Sequence, residues 1–318
     1  MRFLSGIQPS GKLHLGNYFG AIKQYLELQD KGEGLYFIAD LHALTSVTDP
    51  AKLRAMSMDV AIDYLALGLD PKKSALFRQS DVPEVTELSW ILSTVTGMGL
   101  LERCHAYKDK IAKGLKPSVG LFTYPVLMAA DILIYRSDVV PVGEDQTQHI
   151  EVAQDIAQSF NAVYGPILKR PEAKISPAAR VPGTDGRKMS KSYGNTIEIF
   201  ADGKAMKKAV MSIVTDSRSV AEPKDPDKCN VFAIYRLFAS DSEVKSLREK
   251  YLAGGIGYGD VKKMLLDKIE ETFGPLREKR AKIAADKDYV SGVLREGAAK
   301  ARSIARETME DVRRAVGL

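Results

Sequence analysis

GRKMSKSYGN, residues 186 to 195, sets three cations, Arg187, Lys188 and Lys191, among glycines and serines with almost nothing that could bury itself. Such a run is either a solvated basic turn or a clamp for a polyanion. Near the other end of the chain, PSGKLHLGNY places His14, Gly16 and Asn17 where an apolar strand candidate, RFLSGI, turns into a helix. Backbone N–H groups and the helix dipole at that kind of turn face an anion. Gly16 lets a base or ribose come close to the backbone, and His14 and Asn17 supply donors for phosphate oxygens or for a transition state. GIQPSGK, residues 6 to 12, also matches most of the P-loop pattern. The position after Lys12 is Leu13, however, not the hydroxyl that such a loop uses to ligate magnesium, which argues against that class of NTPase. A third chemical signal is Asp131, the lone acid of VGLFTYPVLMAADILIY. A carboxylate in so apolar a run needs a donor, either a ligand N–H or, within the chain, a helix end or Arg136.

The elements that must hold these residues alternate strand and helix across the front half. After RFLSGI, the stretch GNYFGAIKQYLELQDKG repeats apolar residues at helical spacing, Tyr18, Ile22, Tyr25 and Leu26, and stops at Gly32. LYFIADLHAL reads as one strand buried on both faces. Asp49 as N-cap, Pro50 and Gly68 bracket the next helix. SALFRQS is a strand and PEVTELSWILSTV a helix, with Trp90 assigned to the core. DVVPVGEDQTQHIEVAQDIAQSFNAVYG gives a strand over 138–142, a turn at Gly143 and a long helix. This order implies an α/β fold with a parallel sheet, right-handed crossovers and ligand sites at the strands' C-terminal ends. Proline and glycine are frequent from Gly165 to Gly203, which marks a connection. Everything beyond is helical in pattern, closing with a helix that runs to about Ala315.

A chain of 318 residues, 45% hydrophobic and 27% charged, is globular and long enough for two domains. Its two cysteines, Cys104 and Cys229, have neither CxxC nor Cys/His spacing, so no disulfide framework, zinc site or iron–sulfur site is indicated. MRFLSGIQPSG contains no apolar signal core and no run reaches membrane-spanning length, so the expectation is a cytoplasmic protein. From Lys245 onward 17 lysines and arginines stand against 12 acids, an excess equal to the net +5 of the whole chain. A neutral body with a basic last quarter permits a phosphate backbone as partner without demanding one.

The His-x-Gly-Asn turn and the Lys-Met-Ser-Lys-Ser loop, residues 188 to 192, together resemble the two signature sequences of the class I aminoacyl-tRNA synthetases, the second at every position. SGIQPSG with HLGNY, ERCHAYKDK, TYPVLMAADIL and VPVGEDQTQHIE narrow the resemblance to the bacterial tryptophanyl subfamily, over the full chain. The resemblance implies a Rossmann-like catalytic domain over 1–185 with ATP and tryptophan sites. From 186 to 318 it implies the lysine loop and an all-helical domain that holds the tRNA anticodon, with the last helix able to pack back on the catalytic domain. A homodimer is implied as well.

Carried over position by position, the resemblance assigns Gln8, Pro9, Ser10, Gly16 and Asn17 to ATP, Gly143, Glu144 and Asp145 to its nucleoside, and Val181 to adenine. Lys188, Met189, Ser190, Lys191 and Ser192 would close over the triphosphate, joined by Lys110, although Ala106 departs from a glutamine expected nearby. Lys188, Lys191, His14 and Asn17 form the catalytic set, with Mg²⁺ held mainly by the ATP phosphates. Gly183, Gly186 and Gly194 would let the loop open and close. Asp131 would read the indole N–H; Met128, Val140 and Val142 would wall the ring, with Leu4 where the subfamily often has phenylalanine. Tyr124 and Gln146 would hold the amino group, and His42 is either part of the same pocket or structural.

The implied reaction joins L-tryptophan to ATP as tryptophanyl-adenylate with loss of pyrophosphate, then passes the acyl group to tRNA(Trp). The substrate carboxylate is itself the nucleophile, so alignment and charge stabilisation suffice and no Ser/His/Asp triad is needed. The alternatives are a sibling synthetase for tyrosine, whose pocket must recognise a phenol, and a catalytically silent RNA-binding paralogue. The intact lysines and the intact GED turn argue against the second.

Overall fold

The computed structural model describes residues 1–104, 107–108, 118–142, 147–175 and 181–318. By its contacts the chain forms two units, one of Met1–Gly11, Tyr25–Pro177 and Ile283–Leu318, the other of Lys12–Gln24 and Ala178–Lys282. The strands are β1 Arg2–Ile7, β2 Glu33–Ile38, β3 Ser74–Arg78, β4 Val139–Val142 and β5 Glu172–Ile175. The longer helices are α1 Pro50–Leu67, α2 Glu84–Ser93, α3 Val119–Leu133, α4 Thr147–Tyr164, α5 Gly203–Met211, α6 Asp241–Ala253, α7 Tyr258–Ala285 and α8 Lys287–Val316.

In the first unit all five strands pair in parallel in the order β3-β2-β1-β4-β5. Ile7 is in register with Ile38 and Ile38 with Arg78, so the C-terminal ends of β1, β2 and β3 lie level. The order reverses between β1 and β4, the place where open parallel sheets leave a crevice for ligands. The sequence leads one to expect LYFIADLHAL as a single strand, but β2 stops at Ile38 and Asp40–Ala43 forms a helical turn. Asp40 explains the stop: its carboxylate accepts from the Leu41 N–H at 3.0 Å and from Ser80, which pulls the chain out of the ladder. β5, EAKI, lies in the stretch read as a connection. Four residues, half of them charged, carry too little periodicity to announce a strand.

Trp90, expected in the core, is 73% exposed on α2. The buried residues of that helix are Glu84, Val85, Leu88, Ile91 and Leu92. Two residues past Leu88, Trp90 points away from the face they form.

α8 packs against the edge strand β3 and removes an exposed ladder edge. The approach is backbone to backbone. A side chain on Gly297 would fall inside van der Waals distance of the Leu76 carbonyl. Ala298, Ala301, Ala305, Met309 and Val312 continue the apolar contact into the main core of the unit. Arg302 and Arg306 reach the buried Glu84 at 2.7 and 3.2 Å, and Arg313 grips Glu87.

The second unit packs around Met206 and Val210 of α5, Phe232 and Ile234, Leu247 and Tyr251 of α6, and Leu265, Ile269 and Phe273 of α7. Residues 12–24 belong to it through rings. Tyr18 meets Phe273 edge-on at 5.1 Å and Phe19 meets Phe238 at 4.9 Å. The single helix expected over 16–32 is consequently broken into a turn at Leu15–Asn17, a π-helical segment Tyr18–Ile22 and an α-helix Lys23–Leu28. Packing these rings against a different set of partners costs the regular helical period.

Gly297→Ala tests the α8 approach. Intrinsic propensity alone makes alanine better in a helix by up to about 1 kcal/mol. The clash with the Leu76 backbone reverses the sign, and the variant is expected to lose roughly 1–3 kcal/mol, read as a lower Tm in thermal unfolding. An unchanged or higher Tm would show that the strand and helix are not in backbone contact.

Candidate active site

Within the second unit the two signature stretches share one surface. Residues 12–16 run beside 197–199: the Leu15 N–H donates to the Ile197 carbonyl at 3.0 Å and the Ile199 N–H to the Leu13 carbonyl at 3.0 Å. His14 is extended at the head of the turn, and its N–H donates to Asn17 Oδ1 at 3.1 Å. The Gly16 N–H points at Met189 Sδ, 3.4 Å away, and so ties the turn to the middle of KMSKS. A side chain on residue 16 would meet the His14 ring and Met189. His14 is buried, and its Nδ1 has no partner among the described residues. Burial, and after it the charge of Lys191, hold its imidazole down at about 4, so it is neutral at pH 7. A neutral ring at this place can donate a hydrogen bond without repelling the lysines.

Asn195, 2% exposed, braces the lysine loop. Its Oδ1 accepts from the Ser190 N–H at 2.8 Å, and its Nδ2 donates to Asp185 at 2.6 Å and to the Lys188 carbonyl at 3.2 Å. Val181 and Met189 are both buried and joined by a backbone hydrogen bond of 2.9 Å; Ser190 and Ser192 join their hydroxyls at 2.9 Å. Gly183 and Gly186 have a packing reason here, since side chains on them would collide with the amides of Asn195 and Asn230. Gly194 closes the turn Lys191–Tyr193 at φ 64. Arg187 is held by Asp185 at 2.6 Å and lies over the Tyr193 ring at 4.4 Å. Arg187 is thus engaged inside the loop; the Lys188 side chain is exposed and that of Lys191 half-exposed.

Within the first unit the polar groups gather at the C-terminal edge of the sheet. Beyond the level strand ends the Ala39 N–H donates to the Ile7 carbonyl at 2.9 Å, and β3 passes into the turn Gln79–Asp81. Asp40 accepts from the Ser80 N–H at 3.0 Å and from its hydroxyl at 2.5 Å, which clips the two turns together. Tyr124, Met128 and Asp131 follow one another on α3 at spacings of four and three and therefore share a face. Asp131 is 1% exposed. Its Oδ2 lies 2.8 Å from His42 Nε2, and Gln79 Nε2 donates to both of its oxygens at 2.8 Å. Neither a helix end nor Arg136 satisfies this acid; Arg136 pairs with Asp311 and donates to Thr308. Burial pushes the Asp131 carboxyl up, and the donors on His42 and Gln79 work against that rise. The Tyr124 ring stands edge-on to His42 at 6.2 Å, and its hydroxyl lies 3.3 Å from His149 Nε2.

The other expected site residues fall in different places. Leu4 and Val140 belong to the buried apolar cluster of the sheet, and Leu4 is fully covered. Val142 ends β4. Pro9 is buried after β1, with Gln8 and Ser10 exposed on either side. Lys110, Gly143, Glu144, Asp145 and Gln146, together with Ala106, lie outside the described residues. Sequence reasoning missed Gln79, Ser80, His149 and Asn195, and met Asp40 only as the acid of the P-loop alternative. Gln79 and Ser80 directly follow β3, where side chains of a parallel sheet reach its ligand edge, and that position was a usable signal. Asn195 gave none, because its partners become neighbours only when the loop folds.

The chain matches the family model of the class I tRNA synthetases (W and Y) over residues 1–274. The tryptophan–tRNA ligase of Fusobacterium nucleatum is 57% identical over 100% of this chain and 98% of its own, and that of Rhodopirellula baltica 56% identical over 100% of each. Among solved structures, the tryptophanyl-tRNA synthetase from Campylobacter jejuni, complexed with ADP and tryptophan, aligns with a TM-score of 0.94 at 51% identity, covering 100% of both chains. With its paired signature motifs, its parallel sheet and these full-length relatives, the chain belongs to the bacterial tryptophanyl-tRNA synthetases of class I.

Proposed function

We propose that this chain activates L-tryptophan with ATP, forming tryptophanyl-adenylate and pyrophosphate, and then transfers the tryptophanyl group to tRNA(Trp). The observation that carries the reading is the contact between the Gly16 N–H and Met189, which makes the helix-entry turn and the lysine loop one anion-facing surface. ATP arrives as its magnesium complex, with the ion held by the phosphates. The tryptophan carboxylate attacks the α-phosphorus; the bond to the pyrophosphate oxygen breaks and pyrophosphate leaves. Lys188 and Lys191 offset the charge that grows on the departing group, a task for which a compact ammonium on a flexible stem is suited. Neutral His14 and Asn17 add donors at the turn, and Gln8, Pro9 and Ser10 supply the approach to the nucleotide.

Tryptophan is chosen in this reading by Asp131, whose carboxylate accepts the indole N–H. Met128, Val140 and Val142 enclose the ring with Leu4 behind them, Tyr124 serves the amino group, and His42 orients the acid. The tRNA meets the helices α5, α6 and α7. Assembly as a homodimer belongs to the same reading and would give the exposed Trp90 a cover. A cytoplasmic place follows from the work, and no helix among the described residues is long and apolar enough to cross a membrane.

Pyrophosphate exchange measured against all twenty amino acids is expected to respond to tryptophan above every other; stronger exchange with tyrosine would overturn the reading. Asp131→Ala is expected to raise the KM for tryptophan roughly 10- to 100-fold, the loss of a hydrogen bond to a charged acceptor, with the KM for ATP nearly unchanged. Lys188→Ala should slow adenylate formation about 100-fold in single-turnover measurements while tryptophan still binds normally. In an NMR titration the His14 ring signal, identified by its loss in His14→Gln, is expected to move near pH 4 and to stay still from pH 8 to 6. A midpoint near 6.5 would mean that the ring is solvated and available to carry charge.

A further inference from the structure

Asp131 is pinned by a side chain that no signature motif contains. Gln79 is 0% exposed in the turn that follows β3. Its Oε1 accepts from the Leu41 N–H at 3.1 Å and from the His42 N–H at 3.3 Å. Backbone N–H groups only donate, so they fix which end of the amide is oxygen, and the Nε2 end is left facing Asp131. That end also only donates. It reaches Oδ1 and Oδ2, both at 2.8 Å, while His42 Nε2 engages Oδ2 alone at 2.8 Å. A carboxylate offers about four acceptor sites. Gln79 takes one on each oxygen and His42 a second on Oδ2, which, among the described residues, leaves one on Oδ1.

We infer that Gln79 is a specificity-determining positioning residue: its amide, oriented by the backbone of the turn after β2, holds Asp131 as an acceptor with one open site and thereby makes the pocket select a ring that carries an N–H. The inference rests on Asp131 reading the indole. A proton on Asp131 would have to share an oxygen with a donor that cannot turn around, so Gln79 disfavours the neutral acid in a place where burial favours it. The carboxylate therefore keeps its acceptor character although no lysine or arginine among the described residues pairs with it. A ligand with sulfur in place of the N–H leaves the open site of a buried anion without a donor, and that is the costly outcome for binding.

The experiment compares kcat/KM in pyrophosphate exchange for tryptophan and for 3-(3-benzothienyl)alanine, the analogue with sulfur in place of the N–H. Gln79→Met keeps the volume and removes both hydrogen-bonding ends; Gln79→Glu keeps the acceptor end and turns the donor end into a second carboxylate. Both are expected to reduce the preference for tryptophan about tenfold or more, with the KM for ATP within twofold of the parent. In Gln79→Glu the KM for tryptophan should also fall as pH rises from 6 to 8, because the added acid shares a proton with Asp131. His42 and Asp40 from the turn after β2, and Tyr124 and Tyr135 from α3 and its end, are the other ionisable groups that face the acid or neighbour it. They are unaltered in these variants. Asp131→Asn separates two failures. If Asp131→Asn loses the preference and both Gln79 variants keep it, the role of Gln79 is overturned and that of Asp131 stands. If Asp131→Asn keeps the preference, both fall. Equal losses for tryptophan and the analogue in the Gln79 variants, with the ratio unchanged, would mark Gln79 as structural only and sink the proposal.

Discussion

A charged carboxylate cannot remain in an apolar interior unless donors surround it, and the C-terminal edge of the sheet is arranged around that requirement at Asp131. Three separate pieces of chain must arrive together: the turn after β2 with His42, the turn after β3 with Gln79, and the last turn of α3 with Asp131. They do so because β1, β2 and β3 end level, so that the residues just past each strand face a common space. Asp40 and Ser80 fasten the first two turns to each other. The cost of burying one acid is offset by donors whose own orientation is fixed by hydrogen bonds to the backbone.

The lysine loop obeys a different constraint. In the proposed reaction its ligand is a polyanion that divides, which suits cations carried on long stems above a braced loop. Asn195 braces that loop with a single buried amide that binds the Ser190 N–H, the Lys188 carbonyl and the Asp185 carboxylate. His14 and Gly16 are positioned from the helical side by the Tyr18, Phe19, Phe238 and Phe273 rings. Edge-on aromatic pairs of this kind add about 0.5–1.5 kcal/mol each beyond the area they bury. That is enough to hold a short segment in a π-helical shape that its own sequence would not choose.

Charge near the end of the chain is spent more locally than its total suggests. Arg302, Arg306 and Arg313 serve Glu84 and Glu87, and Lys300 serves Glu33, all within the first unit. A count of lysines and arginines from Lys245 onward therefore overstates what is available to a nucleic-acid backbone. The pairs around the buried Glu84 have a clear structural task, because an unpaired acid at that depth would be expensive. Those nearer the surface contribute little each. Together with Gly297 they explain why α8 lies along β3 despite a polar outer face.

Sequence determined the parts of this protein that depend on near neighbours or on residue type. The caps Asp49 and Gly68 set the ends of α1, the apolar runs marked β1 to β4, and the glycines and lysines of the two signature stretches marked the candidate site. Asp131 stood out because a lone acid in an apolar helix has to be answered. Tertiary structure decided what answered it. That Gln79 and His42, and not Arg136, supply the donors follows from strand register; that Trp90 faces outward follows from which side of α2 the sheet covers; and that residues 12–24 leave the regular helix follows from rings more than two hundred positions away. The physical reason is the same in each case: hydrogen bonds and ring contacts between distant segments exist only once the chain has closed, whereas propensity, capping and charge are properties of the segment itself.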